Sequence, residues 1–309
     1  MCFTQSFWQL TVSGLALGSV YALIALGYTL VYGVLQLINF AHSEVFMLGS
    51  FGGVFAAREL VPADKPGVTV AVLLMIAGIL AGALSGGLAA FVLERTAYAP
   101  LRRRHAPKLA YLISAIGASL FASNLAGKEF GRQNVPPATL FNYDAEVFSV
   151  GGVPVRSLDL VIVCVGGAML IFLDRLVART KLGSAIRAVA QDSETASLMG
   201  VNVERVIVMT FVIGGLLAGV GGFLYATKFN ASYDMGFLPG ITAFAAAVLG
   251  GIGNVRGAVL GGLVLGLLRA YSTSVIGASY VDIVGFLALV LVLLVRPTGL
   301  LGEALGRAG

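Results

Sequence analysis

The stretch VIVMTFVIGGLLAGVGGFLYAT, residues 206–227, contains no charged residue and carries five glycines among apolar side chains. It is about as long as the roughly 20 apolar residues that a helix needs to cross a bilayer core. A helix satisfies its own backbone polar groups, as a segment surrounded by lipid must. Similar uncharged runs occur elsewhere and together predict an all-α bundle of transmembrane helices: Met1–Ser43, Val68–Leu93, Leu109–Gly127 and Met235–Val255.

The composition excludes an ordinary soluble protein. Of 309 residues, 58% are hydrophobic and 11% are charged, and the mean hydropathy is +0.94. A soluble domain is typically about 25% charged. The 41 glycines fit close packing between membrane helices, where small residues let backbones approach. We therefore expect the lipid bilayer, and not nucleic acid, to be the environment of this basic chain.

The uncharged runs and the charges between them predict eight to ten membrane spans, and nine fits the charges best. The seventh span is short and ends in glycine, which is typical of a broken or re-entrant helix. The predicted spans are residues 10–33, 36–57, 68–93, 109–127, 157–177, 206–227, 238–254, 257–276 and 279–295.

Basic residues are distributed unequally between the two predicted sides of the membrane. Thirteen Lys and Arg residues fall on the side of residues 94–108 and 178–205, and six fall on the side of residues 128–156. Because the richer side is normally cytoplasmic, we predict an outside N-terminus and an inside C-terminus. Residues 1–309 then form a single transmembrane domain with a cytoplasmic loop at about 178–205 and an extracytoplasmic loop at about 128–156.

The cytoplasmic stretch Leu182–Val206 reads LGSAIRAVAQDSETASLMGVNVERV. Apolar residues recur at three-to-four spacing from Ile186 to Met199, which predicts an amphipathic helix. Gly200 is a plausible C-terminal cap, and Asn202 can cap the following helix. Nothing within this loop would cover the apolar face. Two interpretations remain: the helix lies on lipid headgroups, or it docks against a cytoplasmic partner.

Three polar residues, Asn39, His42 and Glu44, cluster near the end of the first uncharged run. Ionisable groups at membrane depth are costly and usually face a bundle interior or water. The cluster is either a packing and capping cluster or part of a translocation pathway. His42 and Glu44 are two residues apart, so a regular helix would point them to different faces. Arg269 and Asp282 are predicted to pair between the last two spans.

Signatures of catalysis and metal binding are absent from the sequence. There is no G-x-x-x-x-G-K-[ST] phosphate loop, no H-E-x-x-H motif and no evident Ser/His/Asp set. Cys2 and Cys164 form neither a disulfide framework nor a metal site. We therefore expect a protein that is not an enzyme and that holds no metal or cofactor of its own.

Several segments resemble the LivH-type permeases of branched-chain amino acid importers, within the ABC importer permeases. Together they extend from residue 14 to residue 302, in the same order as in that family. The sequence departs from the family pattern at Ser43, where glycine is usual, at Ala99, where Arg is frequent, and at Thr195, where the loop motif has Ala. The similar segments are GLALGSVYAL from Gly14, NFAH from Asn39, ERTAYAPLR from Glu94, ETASLMG from Glu194 and GGIGNVRGA from Gly250.

The resemblance implies a permease of the bacterial cytoplasmic (inner) membrane that carries branched-chain or other apolar amino acids. Residues Glu194, Ala196 and Gly200 match the E-A-A-x-x-x-G loop, which implies that two ATP-binding ABC ATPase subunits dock there. It further implies a second homologous permease subunit and an extracytoplasmic substrate-binding protein.

The alternative is an ion-coupled secondary amino acid transporter. Such a transporter ordinarily needs carboxylates in the middle of its spans. Glu44, Asp174 and Asp282 are the candidates, and each is predicted to lie near the end of a span.

Overall fold

The computed structural model describes residues 3–60, 67–136, 146–150 and 153–302. Its elements are helical apart from one short hairpin, so the prediction of an α-helical bundle is confirmed in its main feature. The helices are α1 Phe3–Leu35, α2 His42–Glu59, α3 Val68–Leu93, α4 Ala99–Arg103, α5 Lys108–Glu129, α6 Ser157–Arg179, α7 Lys181–Gln191, α8 Ser193–Leu198, α9 Val203–Lys228, α10 Phe237–Gly250, α11 Val255–Val275 and α12 Val281–Val295.

Within the described part of the chain, seven helices are long and apolar enough to cross a membrane. All nine predicted apolar segments contain a helix, but two of these helices are not among the seven. Helix α2 carries Glu44, Arg58 and Glu59 in its 18 residues. Helix α10 has 14 residues and covers about 21 Å, less than the roughly 30 Å of a bilayer core.

The second predicted span is shorter than the sequence indicated. Residues 36–57 were expected to form one segment, but α2 begins only at His42. Gln36 adopts a left-handed conformation with φ of 50°, and the chain turns there. The seventh segment is short and ends in glycine, as predicted, although α10 ends at Gly250 rather than at residue 254, with Gly251 after it at a φ of 108°.

The predicted loop at residues 94–108 is mostly helical. A π-helical segment, Glu94–Tyr98, continues α3 directly into α4, and only residues 104–107 separate α4 from α5. Single-turn π segments are uncommon and often mark functional positions. The continuous helical run Thr69–Arg103 has 35 residues, about 52 Å along its axis, and therefore extends beyond the roughly 30 Å of a bilayer core.

A β-hairpin precedes α6, which an all-α prediction did not include. Its strands are β1, Glu146–Val150, and β2, Val153–Arg156, paired antiparallel with Phe148 opposite Val155. The hairpin lies in the predicted loop at 128–156, of which residues 137–145 and 151–152 are outside the described residues.

Glycines bring α2, α3 and α9 into close contact, as the sequence predicted. Gly219 of α9 faces Gly49 of α2 and Gly82 of α3, and a Cβ atom on Gly219 would collide with the Gly82 carbonyl. Close backbone packing of this kind replaces the hydrophobic effect as the source of helix association in lipid. Most of the side chains of α9 are buried, so α9 lies near the centre of the bundle.

The connecting segments gather at two ends of the bundle. At the end that we call the basic end, Arg103 of α4 contacts Glu204 of α9, and Arg256 of α11 contacts Asp174 of α6. At the opposite end, Lys228 pairs with Asp159. This grouping matches the two sides deduced from the basic residues.

Candidate functional site

Helix α2 begins inside the bundle rather than at its surface. The His42 imidazole lies against Gly27 of α1 and near Gly214 of α9. Gly27 is eight residues before the end of α1, about 12 Å along the helix axis. The chain therefore leaves α1 at the basic end, turns back into the bundle and starts α2 at depth.

Helix α10 starts at the same depth and runs the other way. Gly236 and Gly240, at its first turn, pack against Ser43 of α2, and a Cβ atom on Gly240 would collide with the Ser43 side chain. From there α2 continues toward the opposite end and α10 toward the basic end. We call this meeting of the first turns of α2 and α10 the junction.

Glu44 places a carboxyl group at the junction. The residue is 5% exposed, and Ser119 of α5 donates a hydrogen bond to its Oε1 over 3.0 Å. Its Oε2 lies beside Gly236 and has no hydrogen-bond partner in the described part of the chain. Among the ion pairs between described residues, none includes Glu44. The sequence predicted Glu44 near the end of a span. Glu44 does lie in the first turn of α2, and this turn lies inside the bundle rather than at its surface.

Asn39 and His42 point away from Glu44 and join other neighbours. The Tyr98 hydroxyl donates to Asn39 Oδ1 over 2.8 Å, which ties the turn before α2 to the π-helical segment. The His42 ring stands edge-on to Tyr28, with 4.9 Å between ring centroids. The three predicted residues thus share one buried region without converging on one point, as the two-residue spacing of His42 and Glu44 indicated.

The segment between α6 and α9 forms two short helices joined at Asp192, where one helix was predicted. The Asp192 carboxylate accepts hydrogen bonds from the Glu194 and Thr195 amides and caps α8. Asn202 caps α9 through the Arg205 amide, as predicted. Gly200 adopts a φ of 84°, a conformation that favours glycine.

The apolar face of this segment is covered by its own chain. Ile186, Val189 and Ala196 are buried in a cluster with Tyr98 and Phe211. As expected, the cover does not come from the loop itself. It comes from other parts of the chain, so these three side chains contact neither lipid headgroups nor a cytoplasmic partner. What remains outside is the tip of α8, where Leu198 is 83% exposed and Met199 is 81% exposed. Glu194 and Gly200 are also exposed, whereas Ala196 is not.

A charge network fixes the base of this segment. The Arg102 guanidinium donates to the buried Glu94 over 2.7 Å, and Arg103 donates to Glu204 over 2.9 Å. Glu204 is the second residue of α9. The projecting end of α3 and α4 is thus joined to the helix that follows α8. Arg269 pairs with Asp282 at 2.7 Å, as predicted.

Sequence reasoning missed several residues of these sites. Tyr98 and Ser119 approach the polar cluster from distant parts of the chain, and no local pattern marks them. Asp192 carried a usable signal, because Asp is a preferred N-cap residue. Met199 was assigned to the apolar helix face and Leu198 was not assigned; the break at Asp192 turns both outward.

Comparison with known proteins decides the family. The family described as branched-chain amino acid transport system / permease component matches residues 10–295. The chain belongs to this family of permeases. The permease is 40% identical over 300 residues to the high-affinity branched-chain amino acid transport system permease protein BraD of Pseudomonas aeruginosa, with 96% of each chain covered.

Two further relatives indicate the range of the likeness. The permease is 40% identical over 303 residues to the high-affinity branched-chain amino acid transport system permease protein LivH of Escherichia coli K12, again with 96% of each chain covered. It is 27% identical over 246 residues to the xylose transport system permease protein XylH of the same strain, covering 72% of this chain and 60% of XylH. The permease is accordingly a multi-pass membrane component of a transport system.

Proposed function

We propose that this permease is the membrane-spanning subunit of an ABC importer for branched-chain or other apolar amino acids. The observation that carries the proposal is the exposed tip of α8, Leu198 and Met199, held on a buried base at the basic end. Two large apolar side chains beyond the bundle fit a protein partner, because contact with it removes them from water and Met is enriched in interfaces. The partners would be two ATPase subunits, which bind ATP while this chain holds no cofactor.

The basic end faces the cytoplasm in this proposal, with the N-terminus outside and the C-terminus inside the bacterial inner membrane. Support comes from the excess of Lys and Arg at that end. Seven helices would cross the membrane fully. Helices α2 and α10, which start at the junction, would each cross part of it as helix, which gives nine passages of the chain. The opposite end would then receive substrate from an extracytoplasmic binding protein.

The junction is the proposed translocation pathway. Broken helices at membrane depth are typical of transporter binding sites, since their first turns present polar groups inside the bundle. The unpartnered Oε2 of Glu44 would accept a hydrogen bond from the ammonium group of the passing amino acid. Asn39 and His42 would hold the turn before α2 in place. A second permease subunit would complete the pathway.

Ala196 and Glu194 have different roles in this proposal. Ala196 is 5% exposed and packs within the chain, so its small size positions α8 rather than entering a partner. Glu194 is exposed and can offer a charge-assisted hydrogen bond to the ATPase surface. Gly200 lets the chain turn sharply after Leu198 and Met199.

The ion-coupled secondary transporter is retained as a second candidate because Glu44 is a buried carboxylate within the bundle. Uptake by the chain purified with its partners and reconstituted in vesicles separates the two. An importer needs ATP and works after the proton and sodium gradients are collapsed. Uptake that follows an ion gradient without ATP would refute the importer.

The coupling role is tested by replacing Gly200→Val or Leu198→Ser. Val strains the left-handed backbone at position 200, and Ser removes an apolar anchor, which in interfaces lowers affinity by about tenfold. Both variants should lose ATPase copurification and uptake while keeping normal amounts of protein in the membrane.

Leu301→Ser is the matched control, because Leu301 is 46% exposed at the same end but lies outside the α7–α8 segment. It should bind the ATPase subunits normally. Full uptake with bound ATPase in both test variants would remove the main support for the proposal.

A further inference from the structure

A cavity opens at the opposite end of the bundle, between the end of α9, the turn before α10 and the first residues of α10. Its volume is about 480 Å³, and the residues that line it include Tyr225, Lys228, Phe229, Asp234, Met235 and Leu238. Ligand sites for small molecules are commonly of this size, mainly apolar with a few placed polar groups.

The cavity carries one basic and one acidic side chain. The Lys228 ammonium is bonded to Asp159 of α6, and an ammonium has three N–H donors, so further donors remain for a ligand. Asp234 is exposed, and its Oδ1 accepts a hydrogen bond from Ser232 over 2.6 Å. Its second oxygen is available as an acceptor. A ligand that carries both a negative and a positive group would find an oppositely charged side chain for each in this cavity.

Besides the polar Asn134, Asn230 and Ser232, the wall has an apolar part. The rings of Tyr225 and Phe229 lie together with 4.7 Å between their centroids, and Met235 and Leu238 continue the surface. Such a wall suits an aliphatic side chain, because burying apolar surface there removes it from water.

The floor of the cavity leads to the junction. Ser50 of α2 donates a hydrogen bond to the Met235 sulfur over 3.0 Å, and the next residue, Gly236, lies against Glu44 Oε2. One layer of residues therefore separates the Asp234 carboxylate from the buried Glu44 carboxylate. A ligand that moves inward would meet two carboxylates in succession.

We propose that this cavity is an entry site for a zwitterionic amino acid with an apolar side chain. Lys228 binds the carboxylate, Asp234 binds the ammonium group, and the aromatic and Met235 wall contacts the side chain. The inference rests on the proposed function, whose pathway begins beneath the cavity.

The test uses the full-length chain, purified with its partner subunits in lipid nanodiscs, without the binding protein. Cys2 and Cys164 are replaced by Ser, and Asn230→Cys in the cavity wall is labelled with a maleimide. L-Leucine should slow the labelling. Leucinamide, which lacks the carboxylate, and 4-methylpentanoate, which lacks the ammonium group, should do so only at concentrations about tenfold higher or more, since each loses a charged hydrogen bond.

Asp234→Asn should raise the leucine concentration for half protection by about tenfold, and Asp234→Glu, which keeps the charge, should raise it less. Glu129→Gln is the matched control, because Glu129 is an exposed carboxylate at the end of α5 that is not part of the cavity wall. Equal protection by all three compounds, or an unchanged value in Asp234→Asn, would overturn the inference.

The same preparation separates this inference from the proposed function. With binding protein and ATP added to vesicles, the unlabelled chain should take up leucine. Uptake without leucine protection at Asn230→Cys refutes the entry site alone. Absence of ATP-dependent uptake refutes the importer, whatever the labelling result.

Discussion

A carboxylate between two helix starts is electrostatically favoured, because the first turns of helices carry partial positive charge. Glu44 lies in the first turn of α2 and beside the first turn of α10. This arrangement explains how a charged side chain tolerates the bundle interior without a basic partner among the described residues. In the proposed pathway, the Glu44 carboxylate would bind a cationic group that enters from the cavity side.

Glu44→Gln should lower leucine uptake by about tenfold or more, because the amide cannot replace a charged hydrogen bond to an ammonium group. The variant should still fold, since Gln has the same shape and its amide oxygen can accept from Ser119. The measurement is initial uptake rate in reconstituted vesicles at equal amounts of protein.

Ser119→Ala provides the comparison, because it removes one hydrogen bond to Glu44 and leaves the charge. It should retain most of the uptake. If Glu44→Gln carries leucine as fast as the natural chain does, the carboxylate belongs to helix packing and not to the pathway.

At the scale of elements, α8 depends on a single cap. The Thr195 hydroxyl and the amides of Thr195 and Glu194 donate to the Asp192 carboxylate and hold its pKa below its usual range. Because a lowered pKa stabilises the folded form above the unfolded value of about 4, the cap is fully effective at neutral pH. The stabilisation by the cap is lost as the pH falls through the lowered pKa of Asp192.

Asp192→Ala should therefore loosen α8 at neutral pH, and Asp192→Asn should loosen it less, because Asn is also a good helix cap. Hydrogen–deuterium exchange of the peptide that contains residues 192–200 measures the change. Exchange in the Ala variant should exceed that of the natural chain at pH 7, and the difference should shrink in acid below about pH 4. Identical exchange at pH 7 would mean that the base of the segment alone orders α8.

The start of α2 could not be predicted from the local sequence. The turn at residues 36–41 has no glycine or proline, and its left-handed residue is Gln36. The prediction ended the first span at residue 33, close to the observed end of α1, but nothing local indicated that α2 would start only at His42. A glycine end was predicted for α10, although the predicted span ran to residue 254 and α10 ends at Gly250. Tertiary packing of the first turns of α2 and α10 sets the start of α2, and such packing is not a local property.

At the scale of the whole molecule, the two ends of the bundle define a topology that labelling can check. Cysteines at Ser184, at the basic end, and at Gln133, at the opposite end, should react with an impermeant maleimide from opposite sides of the membrane. We expect Gln133→Cys to react from outside, because the basic end should face the cytoplasm. Reaction of both cysteines from the same side would contradict the topology.

The apolar runs and the basic residues were enough to predict the bundle, a helix in each of the nine predicted segments and the grouping of its loops. They were not enough for contacts between distant segments. Tyr98 reaches Asn39 across 59 residues of sequence, and the apolar face of α7 is covered by α1 and α9. Periodicity indicates that a face is apolar, but the fold decides what covers it.

The shortness of α10 has a consequence for how the chain is made. A helix of 14 residues is too short to be released alone into lipid, since its ends would remain unsatisfied in hydrocarbon. Helices α1 and α2, against which it packs, precede it in synthesis, and α11 and α12, which it also contacts, follow it. The helices made earlier can therefore provide a protein surface for α10 to pack against when it is synthesised. Helix α11 then packs against α10 from another side.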